Sequence, residues 1–215
     1  MRAPGLTVLS AALALLTCLH AEAHGAVVEK SKQVGKQAAT SFSGTATITC
    51  PDGSTGSVSA FGFLSGSEQI NKQTGTPKTE TNGVFVEVDF YSNDCTNTFL
   101  SGFGGITDGF TPPNKRLNSA GLEGTAFVQD FGSGVQIAVA IDVVIEGTGP
   151  LTASKSTTKT KTLHPVTITI NKSANANRAG VASGTIAIDG VALDTTYSNT
   201  TLSDNATLDI TIEKK

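Results

Sequence analysis

The sequence predicts an all-β protein, an antiparallel β-sandwich of about ten strands in an Ig-like or jelly-roll arrangement, and three observations carry that prediction. Apolar residues recur at every second position in run after run, rather than at helical spacing. The composition suits an exported β protein, with 23 Gly, one Met, no Trp, only 15% charged residues, and abundant Thr, Ser and Val. The stretches between the runs are rich in Gly, Pro, Asn and Asp, the residues that turn a chain. About ten strands with one apolar face each cannot bury those faces as a single flat sheet, so they must form a two-sheet sandwich or a barrel.

Residues 1–23 read as a signal peptide. Arg2 supplies the positive start, Leu6 to Leu19 is an apolar run broken only by small residues, and Ala21-Glu22-Ala23 has the small-x-small pattern that signal peptidase cuts. The apolar run is shorter than the ~20 residues that span a bilayer, and no later stretch competes. A secreted or periplasmic protein with no membrane span is therefore expected. An alternative takes Leu15-Leu16-Thr17-Cys18 as a lipoprotein cleavage site, which would anchor the chain through Cys18. Residues 24–40, with Lys30, Lys32 and Lys36 and little periodicity, form a lead-in: a short helix, an added edge strand or a flexible segment. Residues 41–215 are expected to be one domain.

Within that domain Ser43–Cys50 and Ser57–Phe63 read as strands, followed by a long polar loop over residues 64–82 that holds Gly66, Gly75 and Pro77. Val84, Val86, Val88 and Phe90 then place one apolar face opposite Glu87 and Asp89. After a strand at Thr98–Phe103, a second long loop over residues 104–121 contains Pro112-Pro113 and exposes Phe110 among Gly and Asn. Leu122–Phe131 is a strand, and Ile137, Val139, Ile141, Val143 and Ile145 make the longest alternating run. Lys159-Thr160-Lys161-Thr162 alternates like an exposed edge strand, where lysines discourage edge-to-edge aggregation. Strands at Val166–Ile170, Val181–Ile188, Val191–Thr195 and Leu208–Ile212 complete the set.

The formal net charge of −3 and the pI of about 5.6 give no reason to expect a nucleic-acid partner. Signal cleavage removes Cys18 and leaves Cys50 and Cys95, an even pair in an oxidising compartment. A bridge between them would close a loop of about 45 residues and stabilise by roughly 3–4 kcal/mol on the chain-entropy model. Groups able to do acid-base or nucleophilic work are scarce. No Gly-x-Ser-x-Gly elbow accompanies His164, and Glu87 with Asp89 reads as the solvated face of a strand. Asp189, Asp194, Asp204 and Asp209 fit no calcium-loop spacing. The expected function is a non-catalytic, exported surface module for binding, adhesion or envelope association, with no cofactor and with an unidentified surface ligand or protein as partner. Recognition is expected in the two long loops, at Phe103, Phe110, Asn114 and Arg116.

One feature points elsewhere. Cleavage after Ala23 exposes His24-Gly25, and an N-terminal histidine offers its α-amino group and ring nitrogen to one metal. The dipeptide resembles the copper brace of lytic polysaccharide monooxygenases, secreted β-sandwiches that begin with histidine. The resemblance covers that dipeptide and the general architecture. It implies a secreted copper-dependent redox enzyme in which His24 and His164, the only other mature histidine, hold the metal.

Overall fold

A computed structural model describes residues 26–92, 98–163 and 166–214. Their backbone is extended almost throughout, in eleven strands: β1 Ala26–Thr49, β2 Thr55–Gln73, β3 Thr79–Ser92, β4 Thr98–Thr107, β5 Phe110–Thr111, β6 Ser119–Asp130, β7 Gln136–Gly147, β8 Thr152–Leu163, β9 Val166–Ile188, β10 Val191–Ala192 and β11 Asp194–Lys214. Every pairing is antiparallel. The all-β antiparallel class expected from the alternation is the one the chain adopts.

All eleven strands belong to one sheet whose strand order returns on itself, the last link being the β9–β11 ladder at residues 166–179 and 201–214, while residues 180–188 of β9 and 194–198 of β11 part to opposite walls. The neighbours run β9, β11, β1, β2, β3, β4, β6 and β7, and β7 returns to β9. A ring of this size leaves an interior just wide enough for side chains to fill. Leu64, Val86, Val88, Leu122, Val139, Ile145 and Ile186 fill it and are fully buried. The walls opposed across this core do the work of the two layers of a sandwich. The alternating run of β7 is realised residue by residue, with Ile137, Val139, Ile141, Val143 and Ile145 all inward.

The long strands overrun the ring at one end. β9 shows this best: residues 180–188 pair with β7 inside the ring, while residues 166–177 pair with β8 on one side and β11 on the other. The overrunning parts of β8, β9, β11, β1, β2 and the start of β3 form a single-layered arm that continues one wall of the barrel. The change of direction falls at a bulge, where the β1–β11 register shifts between Ala39 and Ser41 and Asn199 sits in the left-handed region at φ 51°. Thr40, buried there, shares a hydrogen bond with the Thr200 hydroxyl at 2.8 Å, and its own hydroxyl lies 3.2 Å from the Ser198 carbonyl.

Several loop expectations give way to this architecture. The stretch expected as a lead-in is the first half of β1 from Ala26 on, hydrogen-bonded to β2 on one side and β11 on the other. Residues 64–82 are not a loop: β2 continues to Gln73, a tight turn follows, and β3 begins at Thr79. Residues 104–121 are partly strand as well, in the end of β4, in β5 and in the start of β6. The edge strand expected around Lys159 is β8, which pairs only with β9. The segments expected at Val166–Ile170 and Val181–Ile188 are one continuous strand.

Candidate binding face

The outer surface of β2, β3, β4 and β6 gathers most of the aromatic residues of the chain. Phe61 and Phe63 alternate on β2 with the inward Ala60 and Leu64, and Phe85 and Tyr91 alternate on β3 with the inward Val84, Val86 and Val88. Register then decides which rings meet. Phe63, Glu87, Phe103 and Gln129 share one row across the four strands, while Ser65, Phe85 and Gly105 share the next. Phe85 stacks on Phe103 at 5.9 Å between centroids, Phe103 meets Phe131 at 5.4 Å, and Tyr91 meets Phe99 edge-on at 6.2 Å. These rings stay in solvent; Phe103 is 53% and Phe131 68% exposed. With strands ~4.8 Å apart and rows ~6.7 Å apart, the patch measures about 14 by 20 Å. Glu87 and Asp89 stand inside it.

Asp130 fixes the geometry of this face at its weakest seam. β4 and β6 share only the pairs Gly102–Asp130 and Phe103–Gln129, so side chains must complete the junction. One carboxylate oxygen of Asp130 accepts the Ser101 amide at 3.0 Å, and the other accepts the Gly132 amide at 3.1 Å, the Ser133 amide at 2.6 Å and the Ser133 hydroxyl at 2.7 Å. Donors aimed at the ionised form favour it. The Ser101 amide, then the Ser133 hydroxyl and amide, hold the Asp130 carboxyl at a pKa of about 2. The Phe131 amide donates in turn to the Ser101 carbonyl at 2.9 Å, which carries the Phe131 ring onto Phe103.

The residues expected to carry recognition are separated. Phe103 lies at the centre of the aromatic face. Phe110 is not exposed: at 3% exposure it is part of the core, its amide and carbonyl both clamped by the Asn82 side chain at 3.1 and 2.7 Å. Asn114 and Arg116 lie at the end of the barrel, where the Asn114 side chain accepts the Arg116 amide at 2.9 Å and the Arg116 carbonyl accepts from Arg178 at 3.3 Å. Phe61, Phe63, Phe85, Phe99, Phe127 and Phe131 carry no expectation from sequence. Their signal was parity, since each sits out of phase with the buried residues of its own strand.

Cys50 directly follows β1 and is buried, with its amide donating to the Ser54 carbonyl at 2.8 Å. Cys95, His24 and His164 lie outside the described residues, so the cysteine pair and the copper brace do too. Among the described residues no three His, Cys, Asp or Glu side chains gather as a metal site would need, and no helix is long and apolar enough to cross a membrane.

No family model matches the chain, and neither does any curated protein. A search of solved structures finds a crystal structure from Nitrosomonas europaea whose proposed name is AttH, at 11% identity and a TM-score of 0.23 over 85% of this chain. The chain spans about half, 52%, of that structure's length.

Proposed function

We propose that this protein is an exported, non-catalytic binding module whose aromatic face docks a partner protein. The observation that carries the reading is the convergence of Phe63, Phe85, Phe103 and Phe131 on one exposed surface. Soluble proteins rarely leave contiguous apolar patches of several hundred Å² in water unless something covers them, and aromatic anchors dominate the energetics of such contacts. A flat polysaccharide surface is a poorer match, because it calls for coplanar rings. Here Phe85 and Phe103 are inclined by 30° and Phe103 and Phe131 by 58°. Glu87 and Asp89 would meet cationic groups at the centre of the partner's surface.

Export and a Cys50–Cys95 bridge belong to the same proposal. Ala46, Val58 and Ser92 share one row, so β3 leaves the sheet at the end where Cys50 closes β1. Intact mass of the mature protein, with and without reduction, tests both the cut and the bridge.

Docking is tested by placing a photo-crosslinking phenylalanine at position 103 in producing cells, with position 196 on the far wall as control. A discrete adduct from 103 that is absent from 196, and that the Phe85→Ser substitution removes without altering thermal unfolding, supports the reading. An identical adduct pattern from both positions, or none from 103, overturns it.

A further inference from the structure

We propose that the inner side of the arm is a docking surface for an anionic phospholipid bilayer. Side chains alternate along a strand, so Lys36, Val34, Lys32, Lys30 and Val28 project from β1 to the same side as the buried Ala38. By the same rule Ala206, Leu208, Ile210 and Ile212 on β11 follow the buried Leu202. The apolar lining of the barrel therefore runs on into the arm, where no opposite wall among the described residues covers it.

Register sorts this side into columns. The middle strands are aliphatic: Leu208, Ile210 and Ile212 on β11 and Ile168 and Ile170 on β9, all half-buried. The flanking strands are basic. Lys159 and Lys161 on β8 pair with Ile170 and Ile168, while Lys30 and Lys32 on β1 pair with Ile210 and Leu208. Lys72 stands beside Lys32, and Lys172 beside Leu208. The carboxylates on this side, Glu68, Glu80 and Asp204, all lie toward the barrel, so the outer half of the arm presents these six lysines and no acid. The reverse side carries Glu29, Asp209 and Glu213 among Thr, Ser, Asn and Gln, with Val27 as its one large apolar side chain among the described residues, and no lysine.

An aliphatic stripe about 14 Å long between two lysine columns about 14 Å apart matches the boundary between acyl chains and phosphate headgroups. Lysine stems lie along apolar surface while their ammonium groups reach outward to anions. A protein partner fits less well, since protein interfaces are depleted in lysine and anchored by Tyr, Trp and Arg, and none of those three stands in the outer half of the arm. A single phosphate fits less well too, because it cannot touch both columns. No residue of the aromatic face stands on this side of the arm.

The test is co-sedimentation of the mature chain with vesicles of phosphatidylcholine alone and of phosphatidylcholine mixed with phosphatidylglycerol. The expected result is binding to the mixed vesicles only, weakening as salt rises. The exposed triple substitution K30Q/K159Q/K161Q should lower the partition coefficient about a hundredfold, roughly fivefold per lysine, with thermal unfolding unchanged. Ile170→Ser should lower it as well, and if that variant folds poorly the lysine variant alone decides. Equal binding to both vesicle types, no binding to the mixed ones, indifference to the lysine substitutions, or displacement by millimolar inorganic phosphate would each overturn the proposal.

Discussion

Gly66→Ala asks whether the barrel interior is as tightly filled as the burial of its side chains implies. Gly66 pairs with Ala38 and Val84 and points inward. A methyl group built on it overlaps the Phe110 ring and Leu122 Cδ2, and stands 2.6 Å from Phe110 Cε2. Carbon atoms rest about 3.5–4.0 Å apart, so the nearer edge of the ring must retreat by about 1.5 Å or more. Its backbone cannot follow, because the Asn82 side chain holds both the Phe110 amide and carbonyl. Overpacking of this kind costs about 1–3 kcal/mol, and the stiffer unfolded chain returns about 0.4–1 kcal/mol of it. The net loss should be about 1–2 kcal/mol, which lowers Tm by roughly 2–8 °C in a domain of this size. Thermal and urea unfolding followed by circular dichroism would measure it, with an unchanged m-value showing that only stability moved. Phe110→Leu opens the needed space, so the double variant should be more stable than the sum of its parts by at least about 0.5 kcal/mol. A Gly66→Ala protein as stable as the parent, or strict additivity with Phe110→Leu, would refute a packed contact at this point.

Three further outcomes are expected. The Ser101 amide and the Ser133 hydroxyl and amide hold the folded Asp130 carboxyl at about 2, below the ordinary aspartate range; its stabilisation is present above the unfolded value and fades as pH falls from there through 2. Asp130→Asn should therefore melt below the parent at pH 6, with the gap narrowing at pH 2; a gap constant across that range would show that the carboxylate charge is not what matters. Thr40→Val strands the buried Thr200 hydroxyl and should cost about 1–3 kcal/mol, while adding Thr200→Val should recover part of that loss in urea titrations. Arg178 donates to the carbonyls of Gly149 and Arg116 and to the Asn118 side chain at 3.0–3.3 Å, so Arg178→Ala should speed hydrogen exchange at the Gly147 and Thr148 amides while the middle of β7 stays protected.

What the sequence made legible was the part of the sheet with one wet face and one dry one. Ile137 to Ile145 and Val84 to Phe90 alternate because the barrel core sits on one side of them. The arm lacks that contrast. In β1 up to Gln37 and in β2 beyond Gly66 water reaches both sides and the pattern reads as a polar lead-in or loop, and residues 171–180 of β9 carry too few apolar side chains to read as strand. The Gly and Asn neighbours of Phe110 predict exposure, and the structure buries it. Its burial depends on Asn82 and Gly66, which lie far away in sequence. The aromatic face was out of reach for the same reason: each phenylalanine is visible in its own strand, but only register brings Phe63, Phe103 and Phe85 together.

The pairing of β1 with β11, which sets Ala26 beside Lys214, also governs timing. A chain made from its amino end delivers β1 first, and one whole edge of that strand waits for β11. Loop closure over such a separation is entropically unfavourable and slow. Until β11 arrives, both β1 and β9 present an open edge, the condition in which strands recruit the wrong neighbour. A molecule built this way stays open along one edge for as long as its synthesis lasts, and its sheet is complete only after its last strand has been made.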